Sequence, residues 1–309
     1  MDDIDLKIIQ LLSLDARISY RSLGRSVGLS TNATKTRLNR LIHDGMIQQF
    51  VAFLDLAILG YPRIYYLLVR NSDSVEETRS RIKLVGEIIF EIEGIGSIAI
   101  YGIAIKEHTK DEKIQLLSDA LKPAIVLSIN IGRSEISEKL RETDLKILRC
   151  VIENPRMEIT KIADKVSVSS KTVGARLERM KETHIVEFIA ITDPTKMGTY
   201  INFAILLRSA SKIDIKQTIF KDVQRELEKH FLMMRLVMQQ DNMVTFALVA
   251  KSIFDIDPVI KKIKSMRGLE GIEVIIPSKI TIYQDWTIKE IDRLINSYEK
   301  KRLSSLIPG

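Results

Sequence analysis

The sequence predicts an α+β protein built by tandem duplication. We expect each copy to be a winged helix-turn-helix followed by a ferredoxin-like βαββαβ domain, with one further helix at the C-terminus. Two observations predict this fold class. The stretch Asp5-Leu6-Lys7-Ile8 recurs as Asp144-Leu145-Lys146-Ile147. In each copy, short helical patterns come first, and alternating strand and helix patterns follow them.

The repeat extends well beyond these four residues. Ungapped alignment pairs Arg17 with Arg156, Ser30 with Ser169, Arg37 with Arg176 and Arg40 with Arg179, and a one-residue shift near Asp55 pairs Gly60 with Gly198. The matches fall on charged, capping and turn residues, which chance similarity would not favour. The alignment therefore indicates a duplication rather than a general likeness between two helical segments.

The sequence at the start of each copy predicts three short helices and a strand. In the first copy, "DLKIIQLL" places apolar residues on one helical face, and a second helix is predicted over Tyr20 to Val27. Gly28 suits a left-handed helix end, and Ser30 is a good cap for a third helix that reaches His43. Asp44 and Gly45 then predict a turn before a strand. We therefore expect winged helix-turn-helix segments at 1–55 and 140–193.

Strands and helices alternate in the remainder of each copy, at 60–135 and 198–285. The predicted elements of the first copy are "PRIYYLLVR", "SVEETRSRIKLVGEI", "GSIAIYGIAI", "DEKIQLLSDAL" and "IVLSINIG". Those of the second are "INFAILLR", "IKQTIFKDVQRELEKH", "FLMMRLVMQ", "MVTFALVA", "DPVIKKIKSM" and "IEVII". A last helix, "IKEIDRLINSYEKK", lies within 286–309, and its apolar stripe needs a covering surface on its own chain or on another.

Composition limits the classes of function. The formal net charge of +7 and the pI near 9.3 favour a polyanionic partner. A disulfide within the chain is excluded because Cys150 is the only cysteine. The acidic start "MDDIDLKIIQ" does not resemble a signal peptide, and no apolar run approaches the roughly 20 residues of a membrane span. We expect a cytoplasmic protein without a membrane partner.

The sequence contains no recognisable catalytic or metal site. Its four histidines fall at unrelated places in the two copies, and none has a second ligand at metal-binding spacing. Cys150 lies on a predicted buried stripe, and neither a glycine-rich phosphate loop nor a nucleophile elbow is present. We therefore expect no enzyme activity, no catalytic residues, no metal and no cofactor.

The third helix of each copy carries the candidate DNA contacts. In a helix-turn-helix, residues at the start of this helix face base edges in the major groove. Those residues are Thr31, Asn32 and Lys35 in the first copy and Ser170, Lys171 and Thr172 in the second. Asparagine can bond to adenine and lysine to guanine, so we expect base reading of double-stranded DNA here.

Arginines further along the same helices are candidates for backbone contact. Arg37, Arg40, Arg176 and Arg179 keep one spacing in both copies. An R-x-x-R spacing on one helix is usually only a solvated face, but its return in a second helix-turn-helix favours contact with phosphates. Inward from these residues, Leu38, Leu41, Leu177 and Met180 are predicted to be core.

Taken together, "DLKIIQLLSLDARISYRSLGRSVGLS" and "RLNRLIHDGMI" resemble the Lrp/AsnC family of feast/famine transcription regulators. The resemblance implies a sequence-specific DNA-binding regulator whose ferredoxin-like domains sense ligands and form oligomers. Single-copy members dimerise through that domain, so the resemblance implies an intramolecular pseudo-dimer with two DNA-reading segments. Further self-association into a homo-oligomer is expected.

The resemblance also implies a small-molecule effector, although this chain departs from the family pattern. Members that bind amino acids usually show a glycine and, three residues later, an aspartate before the third strand. Here Gly94 is followed by Ser97, and the second copy aligns Gln240, with Asp241 nearby in a different register. Without an acidic residue in register, an amino-acid ligand lacks an evident partner for its ammonium group.

Two other functions remain open at this point. An architectural DNA-coating protein would use the same arginines but would discriminate little between sequences. A siroheme decarboxylase would share the fold. Those enzymes tend to carry a proline-rich aromatic segment where this chain has Asp15-Ala16-Arg17 and Asn154-Pro155-Arg156, so the regulator is the favoured reading.

Overall fold

A computed structural model describes residues 1–70, 74–106, 111–121, 140–209, 220–240 and 243–304. Its helices are α1 (Asp3–Leu14), α2 (Tyr20–Val27), α3 (Thr31–His43), α4 (Val75–Lys83), α5 (Asp111–Ala120), α6 (Glu142–Glu153), α7 (Ile159–Val166), α8 (Ser170–Glu182), α9 (Phe220–His230), α10 (Ile256–Lys264) and α11 (Asp285–Ser304). Its strands are β1 (Ile47–Leu54), β2 (Arg63–Arg70), β3 (Glu87–Gly94), β4 (Ile98–Ile105), β5 (Val186–Thr192), β6 (Ile201–Ser209), β7 (Leu232–Gln240), β8 (Met243–Ala250), β9 (Leu269–Ile275) and β10 (Pro277–Ile282).

The first helix-turn-helix, α1 to α3, follows the prediction closely. The side chain of Asp2 caps α1, and Gly28 ends α2 in the left-handed region at a φ of 71°. Ser30 caps α3 by accepting a hydrogen bond from the backbone N–H of Ala33. The predicted core residues Leu38 and Leu41 of α3 are fully buried, and so is Thr34 on the same face. Local capping signals therefore set all three helices.

The second helix-turn-helix, α6 to α8, repeats this arrangement. Ser169 caps α8, and the predicted core residues Leu177 and Met180 are buried. Ser167 stands where the first copy has Gly28, and it adopts a φ of 57°. The fold therefore keeps a left-handed helix end even where the residue is not glycine.

Strands β1 and β5 pair with each other in a two-stranded sheet. Beyond the strand ends, the backbone N–H of Asp55 donates to Ile185 over 2.9 Å, and that of Asp193 donates to Met46 over 3.1 Å. The wing predicted for each copy is therefore one strand of a ribbon to which both copies contribute.

The sheet of the second copy has the ferredoxin-like order β7-β8-β6-β9. The central strand β6 pairs antiparallel with β8 and β9. One buried cluster joins alternate residues of β6 to α9 and α10, and it includes Phe203, Ile205, Leu207, Val223, Leu227, Ile260 and Ile263. These residues confirm the predicted helix-on-sheet layering. The first five residues of the predicted helix at 215–230 lie outside the described residues.

The sheet of the first copy has the order β10-β3-β4-β2 and differs from the prediction in two ways. Strand β3 was not predicted, and its first residues were assigned to a helix that in fact ends at Lys83. A β-carbon on Gly86 would lie 2.4 Å from the carbonyl oxygen of Ala104, so this glycine allows the chain to approach β4 closely. Strand β10 was also missed. The predicted closing strand "IVLSINIG" lies outside the described residues.

The chain divides into two compact units that do not follow the order of the duplication. One unit comprises residues 1–49, 92–100 and 190–280, so the first helix-turn-helix groups with the second sheet. Within this unit, the hydroxyl of Tyr200 donates to Asp3 over 2.7 Å, and Lys251 lies 3.6 Å from the same carboxylate.

The other unit comprises residues 50–91, 101–189 and 281–309, and it contains the second helix-turn-helix. Within it, α11 packs against α6, and Ile291 is fully buried. The side chains of Trp286 and Tyr298 each donate a hydrogen bond of 3.0 Å to a carbonyl oxygen, of Ile88 and Leu140 respectively. The C-terminal helix, whose covering surface the sequence left open, is therefore covered by its own chain.

Within the described ranges, none of the helices is both long enough and apolar enough to cross a lipid bilayer.

Candidate nucleic-acid interface

The first turn of α3 presents the three predicted base-reading residues to solvent. Thr31, Asn32 and Lys35 are exposed, whereas Thr34 between them is fully buried. The hydroxyl of Thr34 donates to the carbonyl oxygen of Ser30 over 2.9 Å, which ties the start of the helix to its cap. The turn is therefore anchored on one side and polar on the other.

The first turn of α8 is similar but offers fewer polar groups. Ser170 and Lys171 are exposed, and Thr172 is half-buried with its hydroxyl 2.8 Å from that of Ser169. Gly174 occupies the position of Lys35 and contributes no side chain. Of the three predicted residues in this copy, two are exposed and the third contacts the helix cap.

The arginines of α3 lie against the start of α1. Arg37 Nη1 is 2.7 Å from Asp2 Oδ2 and 2.8 Å from Asp5 Oδ1, while Arg40 Nη2 is 2.6 Å from Asp5 Oδ2. Asp5 is almost fully buried, whereas the side chain of Arg40 is 51% exposed. Hydrogen bonding to Arg37 lowers the pKa of Asp2 below its ordinary value, and it raises the pKa of Arg37.

The second copy repeats this arrangement around Asp144, which is fully buried. Arg176 Nη1 is 2.7 Å from Asp144 Oδ1, and Arg179 Nη2 is 3.4 Å from Asp144 Oδ2. Sequence reasoning assigned these arginines to DNA phosphates and missed the buried carboxylate that orients them. The signal was available, because Asp5 and Asp144 belong to the repeated four residues.

Positive charge is distributed differently over the two segments. Residues 20–43, covering α2 and α3, contain five basic residues and no acidic one. Residues 159–182, covering α7 and α8, contain six basic and three acidic residues. Helices α2 and α3 therefore contribute no carboxylate of their own, and the acidic groups beside their arginines, Asp2 and Asp5, come from the start of α1.

Three of the residues predicted for an effector, Gly94, Ser97 and Gln240, lie in the described part of the chain, at strand ends or in a turn. A β-carbon on Gly94 would lie 2.6 Å from Ile98 Cγ2 and 3.2 Å from Ile275 Cγ2, so close packing accounts for this glycine. Ser97 lies in the turn before β4 at a φ of 57°. Gln240 ends β7, and Asp241 lies outside the described residues.

Among the described residues, no group of three or more histidine, cysteine or acidic side chains is placed to hold a metal ion. Cys150 is buried, and burial raises the pKa of its thiol, which reduces the thiolate that a nucleophile needs.

Comparison with known proteins identifies both helix-turn-helix segments. Residues 1–42 match the AsnC-type helix-turn-helix domain, and residues 140–187 match a winged helix-turn-helix DNA-binding domain. The chain is 32% identical over 142 residues to the HTH-type transcriptional regulator Ptr1 of Methanocaldococcus jannaschii, an alignment that covers 46% of this chain and 93% of the relative. It is 36% identical over 112 residues to the proline dehydrogenase transcriptional activator of Rhizobium radiobacter, which covers 36% of this chain and 72% of that protein.

A likeness to one solved structure spans both copies. The siroheme decarboxylase NirDL aligns with a TM-score of 0.52 over 96% of this chain and 100% of that chain, at 14% identity. At this identity the likeness shows the shared fold alone. The two regulators, in contrast, match in sequence at 32% and 36% identity over 93% and 72% of their own lengths. This protein therefore belongs to the Lrp/AsnC family and is a DNA-binding transcription regulator.

Proposed function

We propose that this regulator recognises a two-part DNA site, with one helix-turn-helix reading each part. The observation that carries the proposal is the capped first turn of α3, where Thr31, Asn32 and Lys35 are exposed above a buried helical face. Polar side chains held on a fixed turn have the geometry that base reading in the major groove requires. Ser170, Lys171 and Thr172 are the corresponding residues of α8.

In this proposal the four arginines have two roles. Each side chain contacts a buried aspartate, which fixes the third helix against the first. A guanidinium has five N–H donors, so one bond to a carboxylate leaves others available for a phosphate. The partial exposure of Arg40 and Arg179, 51% and 40% of their side chains, supports contact of this kind.

The two reading segments belong to one chain, so we propose that the chain acts as an intramolecular pseudo-dimer. When one segment binds its half-site, the linked segment is held at a raised effective concentration near the second half-site. The first turns of α3 and α8 differ, since Lys35 aligns with Gly174. We therefore expect two unlike half-sites. Further self-association and a small-molecule effector belong to this proposal as the resemblance implies them.

The experiment that tests the function is selection of binding sites from random duplex DNA at two salt concentrations. A two-part motif with half-sites about one helical turn or a multiple apart is the expected result. Steeply salt-dependent binding without enrichment would instead indicate a DNA-coating protein. No binding at either salt concentration would contradict the proposal.

The reading surface is tested by Asn32→Ala against Asn39→Ala. Both asparagines are exposed on α3, but Asn39 lies two turns further from the helix start. We expect N32A to relax preference at one base pair, with a loss of about 1–3 kcal/mol of discrimination, and N39A to leave preference unchanged. Equal effects of the two substitutions on base preference would show that the base-reading surface is not the first turn of α3.

A further inference from the structure

We propose that Arg141 completes a DNA-phosphate site at the start of the second helix-turn-helix, and that Asp2 screens the matching site of the first. The inference rests on the proposed function and deepens it, because it assigns unequal backbone contacts to the two segments.

Arg141 and Asp2 occupy the same place in the two copies. The backbone N–H of Asp2 donates to Asp5 Oδ2 over 3.1 Å, and that of Arg141 donates to Asp144 Oδ2 over 2.9 Å. Each residue is the N-cap of its helix, and each lies next to the buried carboxylate that binds the two arginines. The side chain at this position therefore decides what stands beside the arginine pair.

The net charge of the side chains around the buried carboxylate differs between the two copies. In the first copy, two acids face two bases: Asp2 and Asp5 with Arg37 and Arg40. In the second copy, one acid pairs with two bases, Asp144 with Arg176 and Arg179, and a third basic residue, Arg141, is held at the N-cap by its backbone N–H bond to the same carboxylate. The first group is neutral as a whole, and the second keeps an excess of two positive charges.

The geometry shows how Asp2 would compete with DNA. Arg37 Nη1 is shared between Asp2 at 2.7 Å and Asp5 at 2.8 Å, so a phosphate that approaches the other donors of Arg37 meets the negative charge of Asp2, the more exposed of the two carboxylates. Asp2 stays ionised at neutral pH, because hydrogen bonding to Arg37 lowers its pKa. In the second copy, Arg141 is exposed at the equivalent place and adds a donor group. A phosphodiester of the DNA backbone is the ligand that this cluster fits.

The test uses the full chain and measures DNA affinity over a series of salt concentrations, on the selected duplex and on a scrambled duplex. Removing one phosphate contact lowers the salt slope by about 0.9, which corresponds to about fivefold in affinity near 0.15 M salt. We expect Arg141→Ser to show this loss on both duplexes and Arg141→Asp to show a larger one. We expect Asp2→Asn, which keeps a capping side chain, to raise both affinity and slope.

Arg141→Asp carries its own control for folding. Aspartate is a preferred N-cap residue and Arg141 makes no side-chain capping bond, so α6 should become more resistant to hydrogen exchange while DNA binding weakens. Unfolding cannot produce that combination.

The outcomes separate this inference from the proposed function. If R141S and R141D kept the wild-type salt dependence of DNA affinity while N32A still relaxed base preference, the phosphate site would be overturned. The proposed function would then stand. Lowered slopes for the Arg141 variants, with no effect of N32A, would support the phosphate site and contradict the base-reading surface. An unchanged slope for D2N would overturn the screening role of Asp2.

Discussion

The two helix-turn-helix segments share one framework and differ in what lies around it. Both have a serine cap on the third helix and a buried aspartate bound to two arginines. Among the aligned positions at which they differ, three lie beside this framework and bear on its stability or charge: Asp2 and Arg141, Gly24 and Ala163, and Gly28 and Ser167. The comparison teaches that a duplicated fold can keep its internal ion pairs while its turn, its helix contact and its surface charge change independently.

The largest expected effect comes from removing the buried aspartates. Asp144→Ala leaves two arginines without their shared carboxylate, and we expect it to lower the free energy of local unfolding of the second segment by about 3 kcal/mol. Asp5→Ala should cost the first segment less, about 2 kcal/mol, because Asp2 still pairs with Arg37. Hydrogen exchange of α3 and α8, followed by mass spectrometry, measures both.

Asp164→Ala is the matched control for this comparison, because Asp164 is exposed on α7. Its effect should stay within about 0.5 kcal/mol. Equal losses for D5A and D144A would show that Asp2 does not support Arg37 in the way that the distances indicate.

A smaller effect is expected where α2 meets α3. A β-carbon on Gly24 would lie 2.6 Å from Thr34 Oγ1 and 2.7 Å from the carbonyl oxygen of Leu29. Gly24→Ala should therefore lower the free energy of unfolding of the first segment by about 2 kcal/mol. Ala163 fills the same position in the second segment, so Ala163→Gly should cost about 1 kcal/mol through helix propensity. If G24A left hydrogen exchange of α2 and α3 unchanged, that result would contradict the close approach of these helices.

The left-handed helix ends predict a reciprocal pair of changes. Ser167→Gly should stabilise the second segment by about 1 kcal/mol, since glycine adopts a φ of 57° without steric cost. Gly28→Ser should destabilise the first by a similar amount, and only through the backbone, because a β-carbon there meets no atom within 4 Å. Thermal unfolding of the two variants and of the double variant measures the difference, and effects of one sign would contradict it.

The smallest expected effect concerns acid pH. The folded pKa of Asp2 lies below its ordinary value of 3.8, so the stability from its pairing with Arg37 is present above that pH. It is lost as the pH falls through the folded pKa. The second segment has Arg141 at this position and lacks this contribution. Carboxyl titration by NMR should show a lowered pKa for Asp2 in the wild type and a smaller lowering in Arg37→Ala, where the backbone N–H of Asp5 still bonds to the carboxylate.

Local signals predicted the helix-turn-helix segments closely and the sheets less well. Capping and left-handed turn residues act within a few positions, which is why the bounds of α2 and α3 were predicted as observed. Strand β3 was not predicted because the amphipathic pattern of α4 continues past Lys83, where the helix ends, and the close approach of Gly86 to β4 involves residues distant in sequence. Strand β10 pairs with a strand far away in sequence, which no local pattern reports.

The candidate site shows the same limit. The exposed first turn of α3 follows from helical periodicity, so Thr31, Asn32 and Lys35 were predicted to face outward and do so. The partners of the arginines depend on how α1 and α3 pack, which periodicity does not report. The recurrence of aspartate and arginine in both copies was the one sequence signal that linked them.

Strand β10 has a consequence for how this protein can evolve. It comes from the second half of the chain but forms the edge of the first sheet, so the first half alone would expose an open strand edge at β3. Splitting the gene at the duplication would therefore yield a fragment prone to aggregation. Two separately encoded regulators would also form homodimers as well as heterodimers, whereas this polypeptide always contains one copy of each kind. Because the two copies cannot separate, each can diverge toward its own half of the two-part DNA site proposed above.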